Sequence, residues 1–266
     1  MNTDGFILVR KRRRAKAKVS KVAVGEQVLL QISVGDCIEK ILESKEKLLN
    51  GCEFKGFEEN LKKAESRLKT QVDDNCIISS IVCYGLGLPS CSRIACCQTG
   101  LLIILRDHFK VKVEVYDPAF SDIDVEILKK LGFTVIEKNE EGKRKLRSPT
   151  LFYMPHCGKG LYNNLLWTNW NYDCLSKCVI IGNSFSTINC NIPERILRKY
   201  YQYIHLSTEF FEEFPVKSLF NEENVFNDIS IHVIKANLKK SDLVLDFWSV
   251  ESELEYESDT EFVQVK

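Results

Sequence analysis

The sequence predicts an α/β fold: a mainly parallel sheet with helices on both faces, preceded by an N-terminal pair of helices. Three observations carry this. From Cys76 onward, short apolar runs alternate with longer segments of helical period, the order that builds parallel sheets through crossover helices. The 266 residues, 44% hydrophobic and 28% charged, suit one large domain with tails. The strongest polar and glycine-containing features fall where strands end, which is where open α/β sheets bind ligands.

The elements follow in order. Residues 1–25 read as a disordered tail carrying the basic block "RKRRRAKAK" (Arg10–Lys18), either a nuclear-localisation or nucleic-acid patch or a plain solvated tail. Residues 26–75 form a helical extension. In Leu29–Leu49, apolar Ile38, Ile41, Leu42, Leu48 and Leu49 recur near helical spacing, and "NGC" breaks the run. Phe54–Val72 carries Phe57, Leu61, Ala64 and Leu68 on one face.

The domain proper spans 76–248. "IISSIVCYG" is a strand, and "SRIACCQTGLLIILRDHF" a helix capped by Ser90 or Ser92. "VKVEVYDP" is a strand stopped by Pro118. "SDIDVEILKKLG" is a helix between Ser121 and Gly132. "FTVIEK" and "TLFYMP" are strands around a charged loop, and "LYNNLLWTNW" is a helix. "KCVIIGNSF" is a strand, and "PERILRKYY" a helix with Pro193 early in it. "QYIHLS" reads as a further strand and "SIHVIK" as an edge strand. Residues 249–266 are an acidic tail containing "ESELEYESDTE" (Glu251–Glu261).

Acidic and basic residues balance at 37 each, so direct nucleic-acid binding is not expected beyond the basic tail. The 11 cysteines are odd in number, no secretory signal is read, and no run spans a bilayer. Free thiols in a reducing compartment, cytoplasm and/or nucleus, without membrane insertion, are expected. No paired Cys-x-x-C occurs, and no metal site is read.

Candidate site residues come from the strand ends. Gly85 and Gly87 allow a tight turn and close backbone approach to a ligand, and the helix after them favours an anion. Ser90 takes the third small position of the dinucleotide fingerprint, and Pro89 lacks an N–H. A corner and a cofactor turn both remain open. Asp117 ends the second strand, where an acid can hold ribose hydroxyls, although it lies farther from Gly85 than the fingerprint's roughly 20 residues. The alternative is a local turn with Pro118. In "PHCGKG" (Pro155–Gly160), His156 and Cys157 are the catalytic or haem-ligating candidates. Neighbours on an extended chain point apart, so a structural loop remains equally open. Asn183 and Ser184 complete the set of cofactor-binding candidates. S-adenosylmethionine, a nucleotide or haem would each suit such a site.

The stretches "CYGLG", "VYDPAFS", "LGFTVIEKNEEGKR", "PTLFYMPHCGKGLYNNLLWTNW", "VIIGNSF" and "FNDISIH" together resemble the Sensitivity-to-Red-light-Reduced (SRR) family, from Ile77 to His232. The resemblance implies a Rossmann-like domain and a regulatory role in circadian-clock input, clock-gene expression and haem biosynthesis. It implies no reaction and no catalytic residues, and the protein partners are unknown. Three functions follow: a ligand-binding regulator, a methyltransferase-like enzyme using S-adenosylmethionine or a nucleotide, or an interaction scaffold without ligand.

Overall fold

The computed structural model describes residues 33–216, 225–236, 245–249, 254 and 256. The basic block, and most of the acidic tail, lie outside these. Two helices come first, α1 (Val34–Leu49) and α2 (Phe54–Val72), with Ser33 capping α1 through Asp36 N–H. Then follow β1 (Ser80–Tyr84), α3 (Arg93–Phe109), β2 (Lys112–Tyr116), α4 (Asp122–Lys130), β3 (Thr134–Val135) and β4 (Thr150–Met154). The remainder is α5 (Lys159–Thr168), α6 (Tyr172–Leu175), β5 (Cys178–Asn183), α7 (Phe185–Asn191), α8 (Glu194–Tyr200), α9 (Gln202–Ser207), β6 (Phe211–Pro215) and β7 (Ile229–Ile234).

The seven strands form one sheet in the order β3-β2-β1-β4-β5-β7-β6. The first five pair in parallel, while β7 pairs antiparallel with both β5 and β6. Strand alternation divides the core between the two faces. Ile81, Cys83, Val113, Val115, Leu151 and Tyr153 pack with α1, α2, α3 and α4. Val82, Tyr84, Phe152, Met154 and Ile180 pack with α5, α7 and α9. Each fully buried Leu or Ile contributes about 1.5–3 kcal/mol. The Rossmann-like arrangement, with helices on both faces, is as expected.

Helix α3 is buried from Ala95 to Leu105, between the sheet and α1. Gly100 permits this: a Cβ there would stand 3.0 Å from the backbone nitrogen of Lys45 on α1. The N-cap of α3 is Ser92, whose Oγ accepts from Ala95 N–H at 3.2 Å. In α4 a capping box closes between Ser121 and Asp124.

Two sequence expectations need correction. "QYIHLS" is the helix α9, not a strand. Its buried residues Tyr203, Ile204 and Ser207 fall at helical spacing, and Asn163 Oδ1 from α5 accepts from two N–H groups of its first turn, those of Tyr203 and Ile204. "SIHVIK" is not an edge. As β7 it is buried at all six positions between β5 and β6, and the edge on that side is β6. Pro215 suits that edge, where its missing N–H costs no ladder bond. All eleven cysteines are unbridged. Among the described residues, no helix is long and apolar enough to cross a membrane.

Candidate functional site

The chain leaves β1 for β2 and β3 on one side, then returns to place β4 and β5 on the other. Strand order therefore reverses between β1 and β4, and the crevice beyond their carboxyl ends is the position such sheets use for ligands. A cleft of about 380 Å³ lies there, a size suited to small molecules. The β1–α3 turn gives Gly85, Leu86 and Gly87, the first turns of α3 give Ser92, Ile94, Ala95 and Gln98, and the loop after β4 gives Pro155 and His156. A wider hollow of about 720 Å³ is lined, among the described residues, by α1 and its end alone (Glu39 to Asn50) and gathers no groups from a second element.

Gly85 and Gly87 have φ of 67° and 76°, a backbone region that suits glycine. Their N–H groups are already engaged. Gly85 N–H donates to Tyr116 O at 3.0 Å, and Gly87 N–H to Asp117 Oδ2 at 2.8 Å. Asp117 Oδ1 accepts from Ala119 N–H at 2.9 Å. Asp117 thus stands behind the turn and ties the end of β2 to it. Ser90 N–H donates to Asp124 Oδ1 at 2.9 Å, and Ser90 is not at the cleft wall. Asp124 is fully buried. Burial pushes its carboxyl up, but hydrogen bonds from Ser121 and Ser90 outweigh burial and hold it below the usual carboxylate range.

The second wall is built by "PHCGKG". His156 takes a left-handed φ of 56°. Its backbone N–H donates to Asn183 Oδ1 at 2.9 Å, while Asn183 Nδ2 donates to Cys157 O at 3.0 Å. The His156 ring places Nε2 2.8 Å from Val225 O. A carbonyl only accepts, so Nε2 carries the hydrogen and Nδ1 of the neutral ring is an acceptor. Cys157 is buried, and its Sγ donates to Tyr84 O at 3.2 Å, away from the cleft. Lys159 reaches over the Tyr201 ring at 5.7 Å. Ser184 caps α7, accepting from Thr187 N–H at 3.1 Å and donating to Glu213 Oε2 at 2.7 Å.

The structure therefore brings Gly85 and Gly87 to one wall of the cleft and His156 to the other. Asp117 holds the first wall from behind and Asn183 the second. Ser90, Cys157 and Ser184 are engaged instead in structural hydrogen bonds, with Asp124, with Tyr84 O, and with Thr187 N–H and Glu213. Sequence reasoning missed Gln98, which is 4% exposed yet borders the cleft. Its signal was a lone amide inside the apolar run "ACCQTGLLIIL".

The model of the SRR1 domain matches residues 44–233. A mouse SRR1-like protein is 47% identical over 127 residues, covering 46% of this chain and 51% of its own length. Protein SENSITIVITY TO RED LIGHT REDUCED 1 of Arabidopsis thaliana is 39% identical over 108 residues, 40% of this chain and 39% of its own. The chain spans about half the length of the mouse relative and less of the plant one. Among solved structures, the plantazolicin methyltransferase BamL aligns at a TM-score of 0.32 with 13% identity, over 73% of this chain and 84% of that one. With its family model matched over most of the chain and the motif-bearing loops inside the match, this protein belongs to the SRR1 domain family.

Proposed function

We propose that this chain is a regulatory protein whose SRR1 domain binds a small ligand in the cleft between β1 and β4. The carrying observation is the cleft's place at the point of strand-order reversal, with a glycine turn on one side and a clamped histidine loop on the other. The output we assign is light- or clock-linked gene expression and the regulation of haem biosynthesis, acting in the cytoplasm and/or nucleus. Family membership supports the regulatory part, and the plant relative's name, which speaks of red-light sensitivity, supports the light-linked part.

The test is replacement of the endogenous gene by an Ile94→Trp variant. Ile94 borders the cleft and is 45% exposed, so the larger ring blocks the mouth without crowding the core. Clock-gene transcripts and haem-pathway transcripts are followed over a day. Loss of their regulation, with the variant folded and present at normal level, is the expected outcome. Wild-type regulation by the blocked protein overturns the proposal.

A further inference from the structure

We propose that the cleft takes an uncharged nucleoside-type heterocycle, read by the Gln98 amide, and not a phosphate-bearing nucleotide. This inference rests on the ligand-binding function proposed above and names the ligand's chemistry.

The first argument is the state of Gln98. It lies on the same face of α3 as Ile94 and Ala95, which also border the cleft. The residue is 4% exposed, and its side-chain amide makes no hydrogen bond among the described residues; only its backbone carbonyl is used, by Tyr153 Oη at 3.2 Å. With the rest of the residue buried, an amide that has no protein partner at the cleft is satisfied there by water or a ligand. Gln98 offers one donor and one acceptor side by side. That pair matches the adjacent acceptor and donor on the edge of an adenine-type base. His156 borders the cleft from the opposite wall. Ile94 supplies apolar surface for a ring.

The second argument is charge. Among the described residues, no Lys, Arg, Asp or Glu borders the cleft. A phosphate-binding glycine turn works by presenting spare N–H groups. Here the N–H groups of Gly85, Gly87 and Ser90 already donate to Tyr116 O, Asp117 and Asp124. Two carboxylates therefore stand directly behind the turn and repel a phosphate chain, with no cation bordering the cleft among the described residues to oppose them. The amino-terminal end of α3 favours a single partial negative charge at most, and its own Ser92 already takes up one of its N–H groups.

The experiment is calorimetry on the purified full chain with four probes: adenosine, S-adenosylmethionine, ATP and NAD. The first two carry the adenine nucleoside without phosphate and separate a free nucleoside from a methyl donor. Adenosine, S-adenosylmethionine or both are expected to bind, with ATP and NAD at least tenfold weaker than the tighter of the two. Gln98→Leu keeps volume and helix preference while deleting both hydrogen bonds, and is expected to weaken binding about tenfold. Gln98→Glu provides a second variant, and circular dichroism confirms the fold of both. Tighter binding of ATP or NAD, equal binding by Gln98→Leu, or no binding by any probe overturns the inference. In the last case, water alone satisfies the amide. Failure here is distinguishable from failure of the regulatory function. If no nucleoside binds but Ile94→Trp still abolishes regulation, only the ligand class is wrong. If nucleoside binds but Ile94→Trp regulates normally, only the function is wrong.

Discussion

The side chain of Asn183, at the end of β5, grips the loop after β4 by both of its amide atoms, accepting from His156 N–H at 2.9 Å and donating to Cys157 O at 3.0 Å. Between those two bonds sits a histidine with φ of 56°, a conformation that costs a non-glycine residue about 1–3 kcal/mol unless its surroundings enforce it. Asn183 supplies the enforcement. Asn183→Ala is expected to lower stability by about 1–3 kcal/mol, the net worth of the two hydrogen bonds that hold the loop. It also frees the loop. Alkylation of Cys157, followed by peptide-resolved mass spectrometry, is expected to accelerate in the variant. Unchanged labelling of Cys157 would mean that the clamp does not hold the loop.

The opposite wall meets the same loop at one point. A Cβ built on Gly85 would stand 2.7 Å from Cys157 Sγ, and φ at Gly85 is +67°. Gly85→Ala thus incurs two costs, a clash and a left-handed backbone. Only the first is relieved by shrinking the thiol. Gly85→Ala is expected to destabilise by about 1–3 kcal/mol, and adding Cys157→Ala to recover part of that loss. A double-mutant cycle in urea is expected to show a coupling of about 0.5–3 kcal/mol. Strict additivity would show that the two residues do not press on each other.

These contacts mark the limit of what is legible in the chain. The strands and the long helices are, because each is a continuous apolar or amphipathic run; α2 begins and ends where the spacing places it. Helix α9 is not. The acceptor for two N–H groups of its first turn is Asn163 of α5, some forty residues earlier, and no local spacing records that. Strand β6 was missed because "FEEFP" carries two glutamates, whose partners are distant: Glu212 pairs with Arg67 of α2 at 2.8 Å, and Glu213 with Ser184 and Ser186 around α7. At the site, the glycine turn and the histidine loop were both visible. Whether the turn's N–H groups are spare was not, because that depends on where Asp117 and Asp124 point. Gln98 was passed over because a single amide in a helix has many uses, and only its place at the cleft singles it out.

His232 gives the fold a pH dependence of definite sign. The side chain is wholly buried on β7, its ring stacked on Phe185 at 4.1 Å and its Nε2 3.1 Å from Asn183 O. Nδ1 has no hydrogen-bond partner among the described residues and lies 3.9 Å from Glu213 Oε1. Burial pushes the imidazole down; nearby Glu213 opposes this but does not overcome it, so the ring stays below its ordinary value. The unfolded chain takes up the proton near pH 6.5. Below that pH the unfolded state binds more protons than the native one, so stability is complete above about pH 6.5 and falls as pH drops toward the native value. Asp124 acts in a separate window. Its lowered native value supports the fold above about pH 3.9 and ceases to do so as pH falls through that lower value. Urea midpoints measured from pH 7.5 to pH 3 are therefore expected to decline in two stages. His232→Gln keeps a donor for Asn183 O but cannot titrate. It is expected to flatten the upper stage and leave the lower one in place, whatever its absolute stability. An upper stage as steep in His232→Gln as in the parent chain would assign that proton to another group.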